Sequence, residues 1–579
     1  MRPRRTRLMG AVLAAAALAL SILPATAADA GESYVPISGA GSSWSSVAIQ
    51  QWAVNVQQYG MKVRYASTGS SDGRNQFKAG TVDFAVSEIP YGIKDGGVTD
   101  VPPTVGYAYM PIVAGGTSFM YNLSAGGKQI TNLRLSGPVL AGIFTGKITS
   151  WDDPKVKADN PGLDLPKRRV VPVVRSDGSG STAQFTTWMS KKYPSEWNTY
   201  CKQAGRPLPC GITSNYPTVA GKGFIAQPNS QGVSGYVAQK ANVGTITYVE
   251  YSYALKTGYP VAKVLNKAGY YVEPTASNVA VGLLGAKINQ DKRSSSYLTQ
   301  ILDGVYDNPD ARTYPLSSYS YMVVPTTTDA SLTPAKGKTL GAFDYYFLCE
   351  GQQQAEVLGY SPLPINLVQA GLDQVRRIPG VAAKKIDIRK CNNPTFSADG
   401  KNTLAVKAPQ PPACDKLGAT QCNTGTGGAK GTTTPTQSGG AAGGGAGGSG
   451  GGTGAAGGSG SGSGGSGTGA KGGGSGGSGS GGSGGSGSGS GSGSTELSGG
   501  STGSGGTGAV PALNNGSPVQ CDADSGVCQN VAALPVEVDA ADGWTPTRTL
   551  MLCAVAALLG VVLLPPLIGV LVSRRRTQK

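Results

Sequence analysis

The stretch VVPVVRSDGSGSTAQFTTWM, residues 170–189, carries three successive patterns that indicate a strand, a turn and a helix. The β-branched residues before Arg175 are typical of a buried strand. The segment 176–182 consists of small polar residues, and the run after it has apolar residues at helical spacing. Such a strand–turn–helix unit builds α/β folds, in which ligands collect at the carboxyl ends of strands beside helix N-termini.

Two other junctions have the same composition. GAGSSW, residues 39–44, precedes the helical pattern SVAIQQWAVNVQQYG, and STGSSDGRNQF, residues 67–77, follows the strand pattern MKVRYA. Together with the strand patterns VDFAVSE and GTITYVEYSY, they predict an α/β fold with a mainly parallel sheet. A single junction of this kind is more often only a helix cap. Three of them at one cleft would direct free amides and the positive ends of helix dipoles at an anion.

The composition argues against several classes of function. The chain has no histidine, which excludes Ser-His-Asp and Cys-His centres and the usual zinc sites. A phosphate loop of the Walker type is also excluded, because Leu332 stands where the glycine before Gly337-Lys338-Thr339 would be needed. The net charge of +16 does not indicate nucleic-acid binding, since several basic residues belong to the two ends of the chain. We expect no metal and no cofactor.

Both ends of the chain indicate export and retention at a membrane. Residues 1–28 have the basic start, apolar run and small residues of a signal peptide. Residues 549–572 are uncharged and have the length of a span, about 20 residues or more. The basic tail 573–579 is then cytoplasmic and the rest extracellular. Residues 425–510 are predicted to be a flexible Gly/Ser-rich linker, followed by a juxtamembrane segment at 511–548.

The cysteines fit an oxidising compartment. The chain has nine, of which Cys553 falls inside the predicted span. Sequence alone does not fix how the others are connected. Proximity along the chain suggests the pairs Cys201–Cys210, Cys414–Cys422 and Cys521–Cys528, which leaves Cys349 with Cys391.

An ordered series of motifs between residues 38 and 378 resembles the PstS-type phosphate-binding proteins of bacterial phosphate-specific ABC transporters. The matching stretches are GAGSSW, YASTGSSDGRNQFKAGTVDFAVSEIP, IFTGKITSWDDPKVKADNPGLDLP, VVPVVRSDGSGST and LGYSPLP. The resemblance implies an α/β type II periplasmic-binding-protein fold, with two lobes, a hinge and one phosphate between the lobes. Lobe I would comprise 34–107 plus 325–395 and lobe II 108–324, followed by a Cys-containing extension at 396–424.

The resemblance also implies which residues would contact phosphate. Glu88 stands where the family usually has an aspartate that accepts the proton of the phosphate, and it is one methylene longer. Arg175 would be the cation, oriented by Asp177. Hydroxyl and amide donors would come from both lobes; they are Ser42, Ser43, Trp44, Ser70, Ser179, Gly180 and Ser181.

The sequence therefore predicts a cell-surface receptor that captures inorganic phosphate and delivers it to an ABC permease with a cytoplasmic ATPase. We do not expect the protein to be an enzyme. Two alternatives stay open. A membrane-tethered phosphate sensor or adhesin would use the same fold without transport. A phosphatase would need a metal site or an activated nucleophile, and the tight acidic pair Asp152-Asp153 reads as a solvated turn.

Overall fold

The computed structural model describes residues 33–436, except 96, 295, 329–331, 383, 385–387, 389–390 and 398–400, together with 520–521 and 528–529. The predicted signal peptide, membrane span, cytoplasmic tail and most of the predicted linker lie outside these residues. Within the described part, no helix has both the length and the apolar character needed to cross a bilayer.

The strands are β1 (Ile37–Gly41), β2 (Val63–Ala66), β3 (Phe84–Ser87), β4 (Lys94–Asp95), β5 (Val98–Thr99), β6 (Tyr107–Asn122), β7 (Ser124–Ala125), β8 (Lys128–Gln129), β9 (Arg134–Leu135), β10 (Val171–Arg175), β11 (Ile225–Gln227), β12 (Thr245–Glu250), β13 (Val261–Leu265), β14 (Tyr271–Val272), β15 (Lys287–Ile288), β16 (Gln300–Ile301), β17 (Ser317–Pro325), β18 (Gln520–Cys521) and β19 (Cys528–Gln529). Strands alternate with helices at the two ends of the main sheet, and seven strands, β3 to β9, follow one another in between.

The helices are capped by the residue types that favour helix starts. Asp153, Ser179, Thr275 and Thr333 each accept a hydrogen bond from a backbone amide of the first turn of the helix that follows. The α-helices are α1 (Ser46–Asn55), α2 (Ser70–Lys78), α3 (Gly137–Phe144), α4 (Pro154–Asp159), α5 (Gly180–Lys192), α6 (Pro194–Gln203), α7 (Asn229–Val237), α8 (Tyr251–Thr257), α9 (Ala276–Leu283), α10 (Asp303–Tyr306), α11 (Pro334–Leu348), α12 (Ile365–Val375) and α13 (Thr403–Lys407).

One eleven-stranded sheet runs through the molecule, with the main order β11-β10-β12-β6-β17-β3-β1-β2. Its two ends are parallel: β1 pairs with β2 and β3, and β10 pairs with β11 and β12. Its centre is antiparallel, because β6 pairs with β12 and β17, and β17 pairs with β3. The prediction of a mainly parallel sheet is therefore wrong for the centre, where two long strands cross the molecule in opposite directions.

The two largest hydrophobic cores of the described residues define two lobes. The core of lobe I is built by residues between 37 and 114 and between 319 and 391, and includes Val279 and Leu283. The core of lobe II is built by residues between 119 and 316. The change from one core to the other falls inside β6 and β17, so these two strands join the lobes. The lobe limits at 107/108 and 324/325 stay a prediction.

Three of the suggested disulfides are present: Cys201–Cys210, Cys349–Cys391 and Cys414–Cys422. In a separate unit of the chain, β18 and β19 pair antiparallel and place Cys521 opposite Cys528 along the backbone. A Cys521–Cys528 bond stays a prediction.

Residues 402–436 form a segment, here called the strap, that packs mainly on lobe II. The buried guanidinium of Arg134 donates to the carbonyl oxygens of Cys414 and Ala419 at 2.9 and 2.8 Å, and Lys263 forms a buried ion pair with Asp415 at 2.5 Å. The extension therefore belongs to the folded domain, because its carbonyl groups satisfy a buried cation that would otherwise be costly.

The strap continues into residues assigned to the flexible linker, which is a correction to the start of the linker at 425. Thr426 is buried; its hydroxyl donates to the carbonyl of Val261 at 2.5 Å, and its amide donates to the carbonyl of Thr131 at 3.0 Å. The amide of Gly427 donates to Glu273 at 2.8 Å. These contacts with residues distant in sequence outweigh the flexible composition of 425–436.

We expect Thr426→Val to lower the free energy of unfolding by about 1–2 kcal/mol, because valine keeps the shape but leaves buried polar groups of the backbone without their partner. Urea unfolding of the ectodomain measures this change. Thr433→Val, at an exposed position of the same segment, is the control and should change stability by less than about 0.5 kcal/mol. Equal effects of the two variants would mean that the hydrogen bonds of Thr426 contribute no stability.

Candidate anion-binding site

Four helix starts lie at the carboxyl ends of parallel strands around the cleft. In lobe I, α1 follows β1 and α2 follows β2; in lobe II, α5 follows β10 and α7 follows β11. The three junctions predicted from the sequence are the first three of these. The first amides of each helix lack an intrahelical acceptor, so each start is a source of hydrogen-bond donors. The fold thus directs donors from both lobes into one cleft.

The Glu88 carboxylate lies at the centre of the part of the site that lobe I contributes, and Glu88 is 1% exposed. Its Oε1 atom accepts hydrogen bonds from the hydroxyls of Ser42 and Ser320, both at 2.5 Å. Its Oε2 atom accepts from the hydroxyl of Ser70 at 2.8 Å. The amide of Gly180, from lobe II, donates to Ser70 Oγ at 3.1 Å. The structure therefore brings Glu88, Ser42, Ser70 and Gly180 together; that these residues contact phosphate stays a prediction.

Arg175 and Asp177 form a second cluster on the lobe II side. The Nε and Nη2 atoms of Arg175 donate to the two carboxylate oxygens of Asp177, with 2.7 Å for Nε. The amide of Asn229 donates to the same carboxylate at 2.9 Å. The remaining terminal nitrogen of Arg175 lies 3.4 Å from Ser230 Oγ. Asp177 thus fixes the plane of the guanidinium and leaves one edge for another acceptor.

The loop with Ser42, Ser43 and Trp44 is oriented by three tyrosines that hold its carbonyl groups. The hydroxyl of Tyr65 donates to the carbonyl of Ser42 at 2.8 Å, Tyr253 to that of Ser43 at 2.5 Å and Tyr360 to that of Trp44 at 2.7 Å. Burial raises the pKa of each of these tyrosines, so the hydroxyls stay protonated and can donate.

The other residues predicted to contact the ligand differ in their hydrogen-bond partners. The amide of Trp44 donates to Ser42 Oγ at 3.0 Å, and Ser43 Oγ lies 2.9 Å from Ser230 Oγ in the other lobe. Ser179 caps its own helix, because its hydroxyl accepts from the amide of Thr182 at 3.2 Å. Ser181 is buried, and no group in the described part of the chain forms a hydrogen bond with its hydroxyl.

A second buried carboxyl group, Glu250, lies close to the first loop. Its Oε1 atom and the Trp44 ring both face Gly115, where a Cβ would lie within 2.9 Å of each. Burial raises the pKa of Glu250 well above its usual range.

Sequence reasoning missed Ser230, Ser320 and the three tyrosines. The signal for Ser230 was present, because QPNSQG at 227–232 is another small polar junction between a strand and a helix. No such signal exists for Ser320, which lies inside the apolar pattern of β17. In the described ranges, no group of three or more His, Cys, Asp or Glu side chains could hold a metal ion.

The two lobes contact each other beside the cleft. The amide of Ser71 in lobe I donates to the carbonyl of Gly178 in lobe II at 3.0 Å, and Gln184 Nε2 in lobe II donates to the carbonyl of Glu88 at 2.7 Å. Asp95, on the β4–β5 hairpin of lobe I, accepts from the amide and hydroxyl of Ser214 at 2.7 and 2.5 Å. These bonds hold the cleft closed.

We expect Asp95→Ala to weaken binding of the ligand in the cleft by about tenfold, because two hydrogen bonds to a carboxylate that exist only between closed lobes are lost. Titration calorimetry, with the anion that the wild-type protein binds, measures the change, and stopped-flow kinetics should show faster release. Asp72→Ala removes an exposed acidic residue from α2 of the same lobe and is the control. Unchanged affinity in Asp95→Ala would show that the hairpin contact does not stabilise the closed form.

The chain is similar to proteins of one family. A family model described as a PBP superfamily domain matches residues 24–350. The phosphate-binding protein PstS of Xylella fastidiosa is 34% identical over 342 residues, which cover 58% of this chain and 83% of that protein. The PstS protein of Methanocaldococcus jannaschii is 31% identical over 359 residues, which cover 58% and 85%.

Among solved structures, a phosphate-binding protein from Stenotrophomonas maltophilia is 18% identical, with a TM-score of 0.44 and coverage of 64% of this chain and 99% of that one. With its two-lobed α/β fold, and by its identity to relatives that it covers over most of their length, the chain belongs to the PstS family of phosphate-binding proteins.

Proposed function

We propose that this protein captures inorganic phosphate between its two lobes and delivers it to an ABC-type phosphate import permease with a cytoplasmic ATPase. The observation that carries the proposal is the convergence of helix starts from both lobes around Glu88 and Arg175. Membership in the PstS family supports it, because the relatives are named for phosphate binding.

Hydrogen-bond donors, more than net charge, would hold the anion in this cleft. Asp177 neutralises Arg175, and Glu88 adds a negative charge, so the local formal charge is not positive. A desolvated anion must then be paired with dipoles and hydrogen bonds, since an unpaired buried charge is costly. The buried hydroxyl of Ser181, which has no partner within the described residues, supports a role as one such donor.

The proposed ligands are those that the family resemblance assigned. Arg175, oriented by Asp177, would make charge-assisted hydrogen bonds to phosphate oxygens. Glu88 would accept the proton that phosphate carries at neutral pH and sulfate lacks. The hydroxyl and amide donors would be Ser42, Ser43, Trp44, Ser70, Ser179, Gly180 and Ser181.

Anchoring at the cell surface is part of the same proposal. The signal peptide at 1–28 and the apolar segment at 549–572 are read from the sequence. They would place the binding domain outside the cell on a single-pass anchor. A Gly/Ser linker that begins after the strap would reach about 50 Å, which lets the domain move above the bilayer.

Titration calorimetry of residues 31–436 with phosphate, arsenate and sulfate tests the proposed function. The fragment retains the strap, because the strap is packed on lobe II. We expect phosphate to bind with one site per chain and sulfate to bind at least about tenfold more weakly. Absence of phosphate binding, or equal binding of sulfate, would contradict the proposal. Assays of phosphate release from esters, with and without divalent metals, test the phosphatase alternative on the same preparation.

A further inference from the structure

We propose that Ser320, on a strand that joins the two lobes, positions the Glu88 carboxylate and thereby sets the preference for phosphate over sulfate. This inference rests on the proposed function, because it assigns a positioning residue to the same binding site. Ser320 lies outside the set of residues that the family resemblance assigns to phosphate.

The two carboxylate oxygens of Glu88 accept different numbers of hydrogen bonds. Ser320 and Ser42 both donate to Oε1, each at 2.5 Å. A carboxylate oxygen has about two lone-pair sites, so these two donors satisfy Oε1. Oε2 accepts only one hydrogen bond, from Ser70 at 2.8 Å, among the residues that the structure describes. Oε2 is therefore the atom with a free acceptor site.

The free oxygen faces the other lobe at a helix start. A Cβ built on Gly180 would lie 1.8 Å from Glu88 Oε2. Oε2 thus points at the first residue of α5, where the amide donors of lobe II begin. The two oxygens of a carboxylate are equivalent, so the three donors act by fixing the plane and position of the group. Ser320 and Ser42 hold one oxygen, and the other oxygen, which has a free acceptor site, is thereby kept facing the cleft.

The backbone of β17 places Ser320 where it can do this. Tyr321 pairs with Ser87 in the antiparallel register of β17 and β3. Continued by one residue, the same register would place Ser320 opposite Glu88, which agrees with the hydrogen bond between their side chains. The register of β17 with β6 shifts between Ser320 and Tyr321. Such irregularities re-aim side chains near functional sites.

Ser320 is fully buried on β17, between Tyr319 and Tyr321 of the lobe I core. A buried serine that only filled space would not need to aim its hydroxyl at a charge. Ser318, two residues earlier, shows the contrast: it is also buried, yet no described group forms a hydrogen bond with its hydroxyl. Ser318 therefore offers a matched control on the same strand.

The experiment measures dissociation constants for phosphate and for sulfate with the full-length protein in detergent. We expect Ser320→Ala to reduce the phosphate-over-sulfate ratio by about tenfold, the value of one hydrogen bond to a charged group. Ser318→Ala should leave this ratio within about twofold, since no hydrogen bond is lost. If the Ala variant of Ser320 fails to fold, Ser320→Cys fills the site with a slightly larger side chain that is a weaker donor, and should reduce the ratio by a smaller factor.

A double-mutant cycle separates positioning from a general structural effect. If Ser320 acts through Glu88, Ser320→Ala should change the ratio by less than about twofold in a Glu88→Ala background, where no carboxyl or amide group is left for Ser320 to hold. An equal loss in both backgrounds, or a Ser320 variant that behaves like Ser318→Ala, would overturn the inference while leaving phosphate capture intact. A wild-type protein that binds no phosphate would overturn the proposed function, and this inference with it.

Discussion

Replacing Arg175 with alanine is expected to weaken phosphate binding at least about a hundredfold. Two losses add in the same direction. The anion loses a charge-assisted partner, worth about 1.5–3 kcal/mol for a hydrogen bond to a charged group. In addition, the Asp177 carboxylate loses both of its guanidinium bonds and is left beside the anion as an uncompensated negative charge.

Titration calorimetry with phosphate measures the Arg175→Ala effect, and Lys167→Ala is the matched control. Lys167 is an exposed cation shortly before the same strand, so its removal changes the net charge by the same amount without touching the cleft. Its effect should be less than about twofold and should vanish with added salt. A dissociation constant for Arg175→Ala within tenfold of the wild type would exclude Arg175 as the cation that holds the anion.

The sequence predicted the part of the site that is encoded locally. A strand end, a few small polar residues and a helix start are neighbours in the chain, so SDGSGST and GAGSSW can be recognised as junctions from the order of residue types alone. The same rule applied to QPNSQG would have found Ser230. The hydroxyl–carboxylate contact between Ser320 and Glu88 could not be found, because it depends on the register of strands far apart in sequence.

The α/β class of the fold was predicted from the sequence, but the pairing of distant segments was not. The strand patterns recognised in the sequence did not include β6 and β17, and a strand pattern carries no information about the direction of its neighbours in the sheet. The antiparallel centre of the sheet was therefore missed. The end of the strap, residues 425–436, was missed for a different reason: its Gly- and Thr-rich composition is typical of a linker, whereas Thr426 is fixed by partners at Thr131 and Val261.

Glu88→Gln is expected to reduce the preference for phosphate over sulfate by about tenfold to a hundredfold. In the wild-type protein a carboxylate faces the cleft, and a fully ionised sulfate would present lone pairs to it, which leaves a buried charge without a donor. Phosphate carries a proton and can donate. In Glu88→Gln the amide oxygen can take the hydrogen bonds from Ser42 and Ser320, and the amide nitrogen then stands where Oε2 faces Gly180.

That amide nitrogen can donate to an oxygen of either anion. The dissociation constants for phosphate and for sulfate should therefore change in opposite directions. Sulfate should bind more tightly because it gains a donor in place of a repelling carboxylate, and phosphate should bind more weakly because its proton loses a charged acceptor. Asp72→Ala, an exposed acidic residue of the same lobe, controls for the change in net charge. If Glu88→Gln left both dissociation constants unchanged, the carboxylate would not face the ligand, and the selectivity of the cleft would have to come from the hydroxyls and amides alone.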